Sequence, residues 1–220
     1  MTTKYVFLTG VACVLALSYT SNSAKALQGS EIKRAQPEQV HLINVNADEA
    51  AKAEAFVKSI SDRGIGFLSN PNMSQEQRKS EFRKLLRENF DMQAIARFSL
   101  GRYWQSASEA QRREYSTLFE RMIVEVYARR FGDYQGESFE IASTRMEGNQ
   151  DAIVRSFIVP RSGQRIALDW RLRKRGSQYK VIDIIVEGVS MATTQRSEFS
   201  SIIQRGGGQI DVLIDHLKAG

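Results

Sequence analysis

Few side chains of this sequence could act as an acid, a base, a nucleophile or a metal ligand. Its two histidines lie far apart, His41 in a polar N-terminal stretch and His216 close to the C-terminus. A catalytic triad or a histidine metal site needs histidine beside its partner residues, so neither is expected. The single cysteine, Cys13, lies in an apolar N-terminal run. If that run is removed, the mature chain has neither a thiol nucleophile nor a disulfide bond.

Asp183 is the remaining candidate for a catalytic group. It interrupts an otherwise apolar series from Val181 to Val186. A carboxylate buried among apolar side chains can have a raised pKa and act as a general base. The alternative is that backbone N–H groups or an arginine such as Arg97 satisfy its charge. We favour this structural role and assign no catalytic residue.

Two further features could bind a phosphate. The turn at Glu187-Gly188 leads into a predicted helix at Ser190, and a helix N-terminus attracts anions, although an ordinary helix cap is the interpretation we favour. The glycine run 206–208 is not followed by Lys-Ser or Lys-Thr and does not directly follow a strand, so a phosphate loop is not expected. The run is expected to be a hinge between two helices.

The first 26 residues are typical of a cleavable export signal. Lys4 precedes an apolar run from Val6 to Leu17, and Ala24-Lys25-Ala26 is a small-x-small cleavage site. The apolar run has about a dozen residues, whereas a membrane-spanning helix needs roughly 20. An uncleaved anchor and lipoprotein processing at Cys13 are the alternatives. We therefore predict a signal peptide at 1–26, a flexible tail at 27–47 and one domain at 48–220.

The charge balance argues against a nucleic-acid partner. The formal net charge is +6 and the pI is about 9.5. Without Lys4 and Lys25, the balance is 29 basic to 25 acidic residues. The basic residues are spread along the chain and form no block with interleaved aromatic residues. The mild positive charge favours an anionic membrane surface or an acidic partner at most.

Apolar periodicity predicts helices, then strands, then helices. Ser74 with Gln77 and Ser108 with Gln111 are capping boxes, which mark helix starts. The predicted helices run from Asp48 to Leu68, Ser74 to Phe90, Asp91 to Leu100, Ser108 to Phe131, Ser190 to Gln204 and Gly208 to Lys218. The predicted strands run from Ser138 to Met146, Asp151 to Val159, Arg165 to Arg173 and Gln178 to Glu187.

The order of these elements predicts an α+β fold. Short turns between the strands make neighbouring strands antiparallel. The third strand alternates apolar residues such as Trp170 with Asp169, Arg171 and Arg173, so one of its faces is expected to be solvated. We predict helices packed on one face of a twisted four-stranded antiparallel sheet, enclosing an apolar pocket.

Two segments resemble a known family. They are LGRYWQSASEAQRREYSTLFERMIVEVYARRFGDYQGESF, residues 100–139, and IDIIVEGVSMATTQRSEF, residues 182–199. Both are similar to the MlaC family, also called toluene-tolerance auxiliary proteins. The combination LGxYW, QRxEY, EGVSM and TxxxEF in this order is specific, and the similarity covers about residues 48–218.

The resemblance implies a lipid carrier in the periplasm. Such a protein takes one phospholipid, encloses its acyl chains and leaves the headgroup at the surface. It shuttles the lipid between an outer-membrane lipoprotein complex and an ABC transporter in the inner membrane, whose MCE-domain subunit receives it. This supports outer-membrane lipid asymmetry and solvent tolerance. The expected protein is a monomer that catalyses no reaction and needs no cofactor.

The resemblance and the apolar faces together indicate where lipid would bind. The motif segments border the family's lipid pocket, and EGVSM would lie near its opening. The lipid-binding candidates are Leu100, Tyr103, Trp104, Phe119, Met122, Ile123, Tyr127, Val154, Leu168, Trp170, Val189, Ser190 and Met191.

Three alternatives remain open. Some members of the family are associated with hopanoids, so a rigid polycyclic lipid is a second possible cargo. A cone-shaped α+β enzyme that uses Asp183 as its base is another possibility. A lipid-free adaptor with a solid core is the third.

Overall fold

The computed structural model describes residues 37–220, with side chains from residue 47 onward. The predicted signal peptide and the predicted tail up to residue 36 lie outside these residues. Residues 45–220 form one compact unit, and the described residues 37–44 belong to another. Residues 37–44 are helical. Within the described part of the chain, no helix has the length and hydropathy of a membrane span.

The first helix, α1, is Pro37–Leu68. It starts earlier than the predicted start at Asp48, so residues 37–47 of the predicted tail are helical. The sequence does contain a start signal, because proline is favoured at the first position of a helix, where its fixed φ is helical and no N–H group is left without a partner. Residues 38–47 show no helical apolar period, so apolar periodicity does not predict this part of the helix.

The other helices agree closely with the predictions, except for a four-residue helix, Tyr103–Ser106, that the sequence does not predict. Both capping boxes are confirmed, since the side chains of Ser74 and Gln77, and of Ser108 and Gln111, exchange hydrogen bonds with each other's backbone N–H groups. The helices are α2 Gln75–Asn89, α3 Met92–Leu100, α4 Tyr103–Ser106, α5 Glu109–Ala128, α6 Met191–Arg205 and α7 Ile210–Ala219. A short 3-10 turn at Phe131–Asp133 follows α5.

The sheet has five antiparallel strands in sequence order, not the four that the sequence predicts. They are β1 Ser138–Glu147, β2 Asp151–Val159, β3 Ile166–Arg175, β4 Gln178–Val186 and β5 Val189–Ser190. The fifth strand has two residues, too few to show an alternating pattern. Glu187 and Gly188 both have positive φ, 49° and 81°, as a two-residue hairpin turn requires. Glu187-Gly188 lacks the usual Asn-Gly or Asp-Gly signal, so the hairpin was missed.

One face of the sheet is apolar and the other is charged. Val154, Trp170 and Ile184 lie opposite one another on β2, β3 and β4 and belong to the apolar face. On the opposite face, the paired carboxylate and guanidinium groups of Asp169 and Arg155 lie 2.8 Å apart. The prediction that β3 has one solvated face is therefore confirmed.

The apolar side chains form two separate cores. The sheet core lies between the apolar face and α1, α2 and the end of α5. It contains Ala53, Val57, Ile60, Phe67, Leu85, Ala128, Phe131, Ala152, Val154, Leu168, Trp170, Leu172, Tyr179 and Val181. The helix core lies among α3 to α7. It contains Ala96, Leu100, Tyr103, Ala107, Tyr115, Leu118, Phe119, Phe199, Ile203, Ile210, Leu213, Ile214 and Leu217.

Helix α5 contributes to both cores from opposite sides. Tyr115 and Phe119 lie in the helix core, whereas Ala128 lies in the sheet core. At about 100° per residue, Ala128 is on roughly the opposite face of the helix from Tyr115 and Phe119. The 3- and 4-residue spacing of apolar side chains from Tyr115 to Tyr127 predicts one continuous buried stripe. This prediction is wrong at Val126 and Tyr127, because their side chains are 39% and 42% exposed. The buried face changes side where the helix passes from one core to the other.

Candidate functional site

The apolar face of the sheet is not fully covered by the helices. At the end of the sheet near β5, two rows of paired residues continue the face into solvent. One row is Phe139, Ile158 and Ile166, and the other is Leu168, Val186 and Val189. Leu168 is 9% exposed, but Ile166 is 37% and Val189 is 41% exposed. We call these six residues the open apolar end.

A chain of aromatic side chains leads from α1 to the surface of α5. The ring of Phe131 lies 5.9 Å from that of Phe67 and 5.4 Å from that of Phe82, and Phe82 lies 6.1 Å from Tyr127. Tyr127 is 42% exposed, yet burial raises the pKa of its hydroxyl. The aromatic chain therefore reaches the protein surface at Tyr127.

The predicted lipid-binding residues do not form one cluster. Leu100, Tyr103 and Phe119 are buried in the helix core, and Trp104, Met122 and Ile123 pack against it. Val154, Leu168 and Trp170 belong to the sheet core. Val189 lies at the open apolar end with Leu168. Tyr127 ends the aromatic chain, while Ser190 and Met191 begin α6.

Several residues around this candidate site are not among the predicted lipid-binding residues. Phe131 and Phe139 pack in or against the sheet core, and Phe139 contacts Trp170 edge to face with the ring centres 6.1 Å apart. Ile158, Ile166 and Val186 were missed as well. Their apolar character was visible in the strand pattern. What the pattern could not show is which end of the sheet the helices leave uncovered.

Asp183 has a structural role. It is 8% exposed, and its carboxylate accepts hydrogen bonds from the Ser190 hydroxyl at 2.6 Å and from the Ala192 N–H at 3.0 Å. The Ser190 oxygen in turn accepts the Thr193 N–H at 3.0 Å. The carboxylate thus caps the positive end of α6. The expectation of backbone donors is confirmed, and these partners replace the suggested Arg97.

No metal site is evident around these residues. Within the described residues, no group of three or more His, Cys, Asp or Glu side chains could hold a metal ion. The open apolar end and the aromatic chain contain one polar side-chain atom, the Tyr127 hydroxyl. Such a lining suits an apolar ligand and offers little for acid–base chemistry.

Comparison with known proteins places the chain in a family. The family model described as "MlaC protein" matches residues 58–219, most of the chain. The chain belongs to the MlaC family.

Two curated relatives support this assignment, and one solved structure shares the fold. The toluene tolerance protein ttg2D of Pseudomonas putida is 21% identical over 150 residues, 68% of each chain. The intermembrane phospholipid transport system binding protein MlaC of Haemophilus influenzae is 28% identical over 123 residues, 54% of this chain and 56% of that protein. A phospholipid-binding protein from Ralstonia solanacearum, solved in complex with a phospholipid, superposes with a TM-score of 0.67 at 22% identity, covering 76% of this chain and 96% of that one.

In this MlaC family member, the LGxYW and QRxEY motifs join α3, α4 and α5. Gly101 ends α3 with a positive φ of 62°, which favours glycine. Arg112 of QRxEY donates to the Trp104 carbonyl at 2.9 Å, and its guanidinium lies over the Trp104 ring. The buried Tyr115 hydroxyl donates to the Ala96 carbonyl at 3.0 Å. These motif residues therefore hold the helix core together.

Proposed function

We propose that this MlaC family member is a phospholipid carrier that shelters acyl chains against the apolar face of the sheet. The observation that carries the proposal is the open apolar end, where Ile166 and Val189 continue the sheet core into solvent. The lipid chains would enter there and extend toward Tyr127 and Phe82. The names of the Haemophilus and Ralstonia relatives support a phospholipid as the cargo.

The physical need for such a carrier follows from the hydrophobic effect. Exposing an acyl chain to water costs roughly 0.8 kcal/mol per CH₂, so a two-chain lipid faces an aqueous barrier of order 20 kcal/mol. Covering the chains with apolar side chains removes most of this barrier. This function needs no catalysed step and no cofactor, and Asp183 is already engaged as a helix cap.

The carrier would work in the periplasm. The predicted export signal at 1–26 supports this location. We propose that the protein, as a monomer, takes lipid from or delivers it to an outer-membrane lipoprotein complex and the MCE-domain subunit of an inner-membrane ABC transporter. The name of the Haemophilus relative, an intermembrane phospholipid transport system binding protein, supports this route. We propose that the acyl chains lie in an enclosed apolar pocket.

Native mass spectrometry of protein purified without detergent tests the proposal. We expect a bound mass that corresponds to a phospholipid, with fragment ions that identify its headgroup. A hopanoid mass would identify the alternative cargo at the same site. A clean ligand-free mass, together with no uptake of labelled phospholipid from vesicles, would contradict the carrier function.

A matched pair of variants tests the location of the site. Ile166 and Val212 are both apolar and 37% exposed, but Val212 lies on α7, away from the sheet core. Ile166→Glu should lower the lipid-bound fraction at least about tenfold, since a buried carboxylate against an acyl chain costs more than 1.4 kcal/mol. Val212→Glu should leave that fraction unchanged. Equal retention of lipid by both variants would show that the chains bind elsewhere.

A further inference from the structure

A groove formed by α3, α4 and α6 is lined by three arginines, the exposed Phe98 and the half-buried Trp104. It has a volume of about 430 Å³ and is lined by Arg97, Arg102 and Arg196 together with Phe98 and Trp104. No carboxylate lines it. Within residues 47–220, none of the three arginines forms an ion pair. We call it the arginine groove.

Two of these guanidinium groups are held in place by the protein. Arg196 lies over the Phe98 ring, 5.2 Å from its centre, and occupies the space beside Gly101. A Cβ atom at Gly101 would lie 2.8 Å from the Arg196 Nε atom. Arg102 lies over the Tyr103 ring and donates to the Tyr103 hydroxyl at 3.0 Å. Their remaining N–H groups are therefore arranged before any ligand arrives.

In a second surface cleft, the cationic side chains are bound by other groups of the protein. It has a volume of about 370 Å³ and is also lined by three cationic side chains. There, Arg87 pairs with Glu120 at 2.7 Å, and Arg175 pairs with Asp91 at 2.7 Å. The Lys180 ammonium donates to the Glu88 carbonyl. The arginine groove differs because no carboxylate of the protein lines it to pair with its arginines.

The lining points to a ligand that has both carboxylates and an apolar group. Like charges in one groove repel each other, and a ligand with negative charge relieves this repulsion. Guanidinium groups bind carboxylates through two parallel hydrogen bonds. Phe98 is 43% exposed and offers an apolar contact beside Arg196. Because the Arg196 guanidinium stacks on the Phe98 ring, one segment of chain can place a carboxylate and an apolar side chain on adjacent groups.

We propose that the arginine groove is a docking site for an acidic segment of a partner protein, with at least two carboxylates flanking an apolar side chain. This interaction is independent of the lipid site, because none of the five lining residues named here belongs to the sheet core or to the open apolar end. It can therefore be tested with or without lipid bound. Its failure would leave the proposed carrier function untouched.

The probe is the blocked pentapeptide Asp-Glu-Phe-Glu-Asp, with Asn-Gln-Phe-Gln-Asn as its neutral counterpart. Binding in low salt is measured by calorimetry with the purified protein, and by Trp104 fluorescence in the Trp170→Phe variant. Arg102→Gln or Arg196→Gln should weaken binding of the acidic peptide about fivefold or more, since each removes charge-assisted hydrogen bonds. The matched control is Arg113→Gln, an exposed arginine of α5 outside the groove, which should change binding less than about twofold.

Three results would overturn the proposal. They are the absence of saturable binding, equal binding of the neutral peptide, and equal weakening by Arg113→Gln. Sedimentation with phosphatidylglycerol vesicles separates a protein partner from a membrane. If Arg102→Gln and Arg196→Gln abolish vesicle binding while the peptide does not bind, the occupant is an anionic membrane surface and the proposal is wrong. Unchanged melting temperatures confirm that the variants are folded.

Discussion

At the scale of single residues, the Asp183 carboxylate on β4 holds the start of α6 through hydrogen bonds from Ser190 and Ala192. An isolated Asp in an apolar strand suggests a general base with a raised pKa. The structure instead places it against the start of α6, where it accepts two hydrogen bonds. The strand period identified the burial of Asp183 correctly. It could not identify the partners, because Ser190 and Ala192 reach Asp183 only through the β4–β5 hairpin that was missed.

The first prediction concerns this carboxylate. Asp183→Ala should lower the free energy of unfolding by about 2 kcal/mol, since it leaves the buried Ala192 N–H without an acceptor and removes a charge-assisted bond from Ser190. Chemical denaturation measures the change. The control is Asp62→Ala, which removes an exposed pair with Lys58 and should change stability by less than about 0.5 kcal/mol. If both variants lose the same stability, Asp183 is not a brace.

At the scale of elements, the sequence predicted the parts with clear local signals and missed those without them. The capping boxes at Ser74 and Ser108 fixed the starts of α2 and α5 to the residue. The start of α1 and the strand β5 were missed, because one lacks apolar periodicity and the other is too short. The predicted buried face of α5 is correct in the first half of the helix and wrong at Val126 and Tyr127. Periodicity assumes one packing partner, whereas α5 has two.

The second prediction concerns the attachment of α1 to the sheet. Glu49 on α1 accepts hydrogen bonds from Lys174 at 2.8 Å and from Tyr179 at 3.0 Å, on β3 and β4. The hydrogen bond from Lys174, followed by that from Lys52, lowers the pKa of Glu49 to about 2. A carboxyl group with a lowered pKa stabilises the fold above its unfolded pKa of about 4.3, and this contribution is lost as the pH falls toward 2.

Glu49→Gln removes this contribution. The difference in unfolding free energy between the unaltered protein and Glu49→Gln should be constant above about pH 5 and should shrink steadily between about pH 4 and pH 2. Denaturant titrations at a series of pH values measure it. A difference that does not depend on pH would show that the ionised carboxylate does not hold α1 to the β3–β4 hairpin.

At the scale of the whole molecule, the family motifs and the candidate lipid site lie mainly in different cores. The family motifs that made the resemblance recognisable lie mainly around the helix core, as Tyr115 and Phe199 show by packing edge to face at 5.9 Å. The open apolar end belongs to the sheet core, where sequence signals were weaker. This explains why the fold and the family could be predicted while the candidate site could not be placed residue by residue.

The third prediction is that the two cores unfold together, because α5 contributes residues to both. Trp104 reports on the helix core and Trp170 on the sheet core, so the variants Trp170→Phe and Trp104→Phe each leave one reporter. Their fluorescence transitions should coincide with the loss of helical circular dichroism.

Leu172 is fully buried in the sheet core, and Leu172→Ala should lower stability by about 2–5 kcal/mol. If α5 couples the cores, this change lowers the unfolding midpoint reported by Trp104 as much as the midpoint reported by Trp170. The reciprocal change is Leu213→Ala in the helix core, where Leu213 is also fully buried. If each substitution shifts only the unfolding midpoint reported by the tryptophan in its own core, the helix core can stay folded while the sheet core unfolds. In that case α5 is a hinge between two independent units and does not couple them.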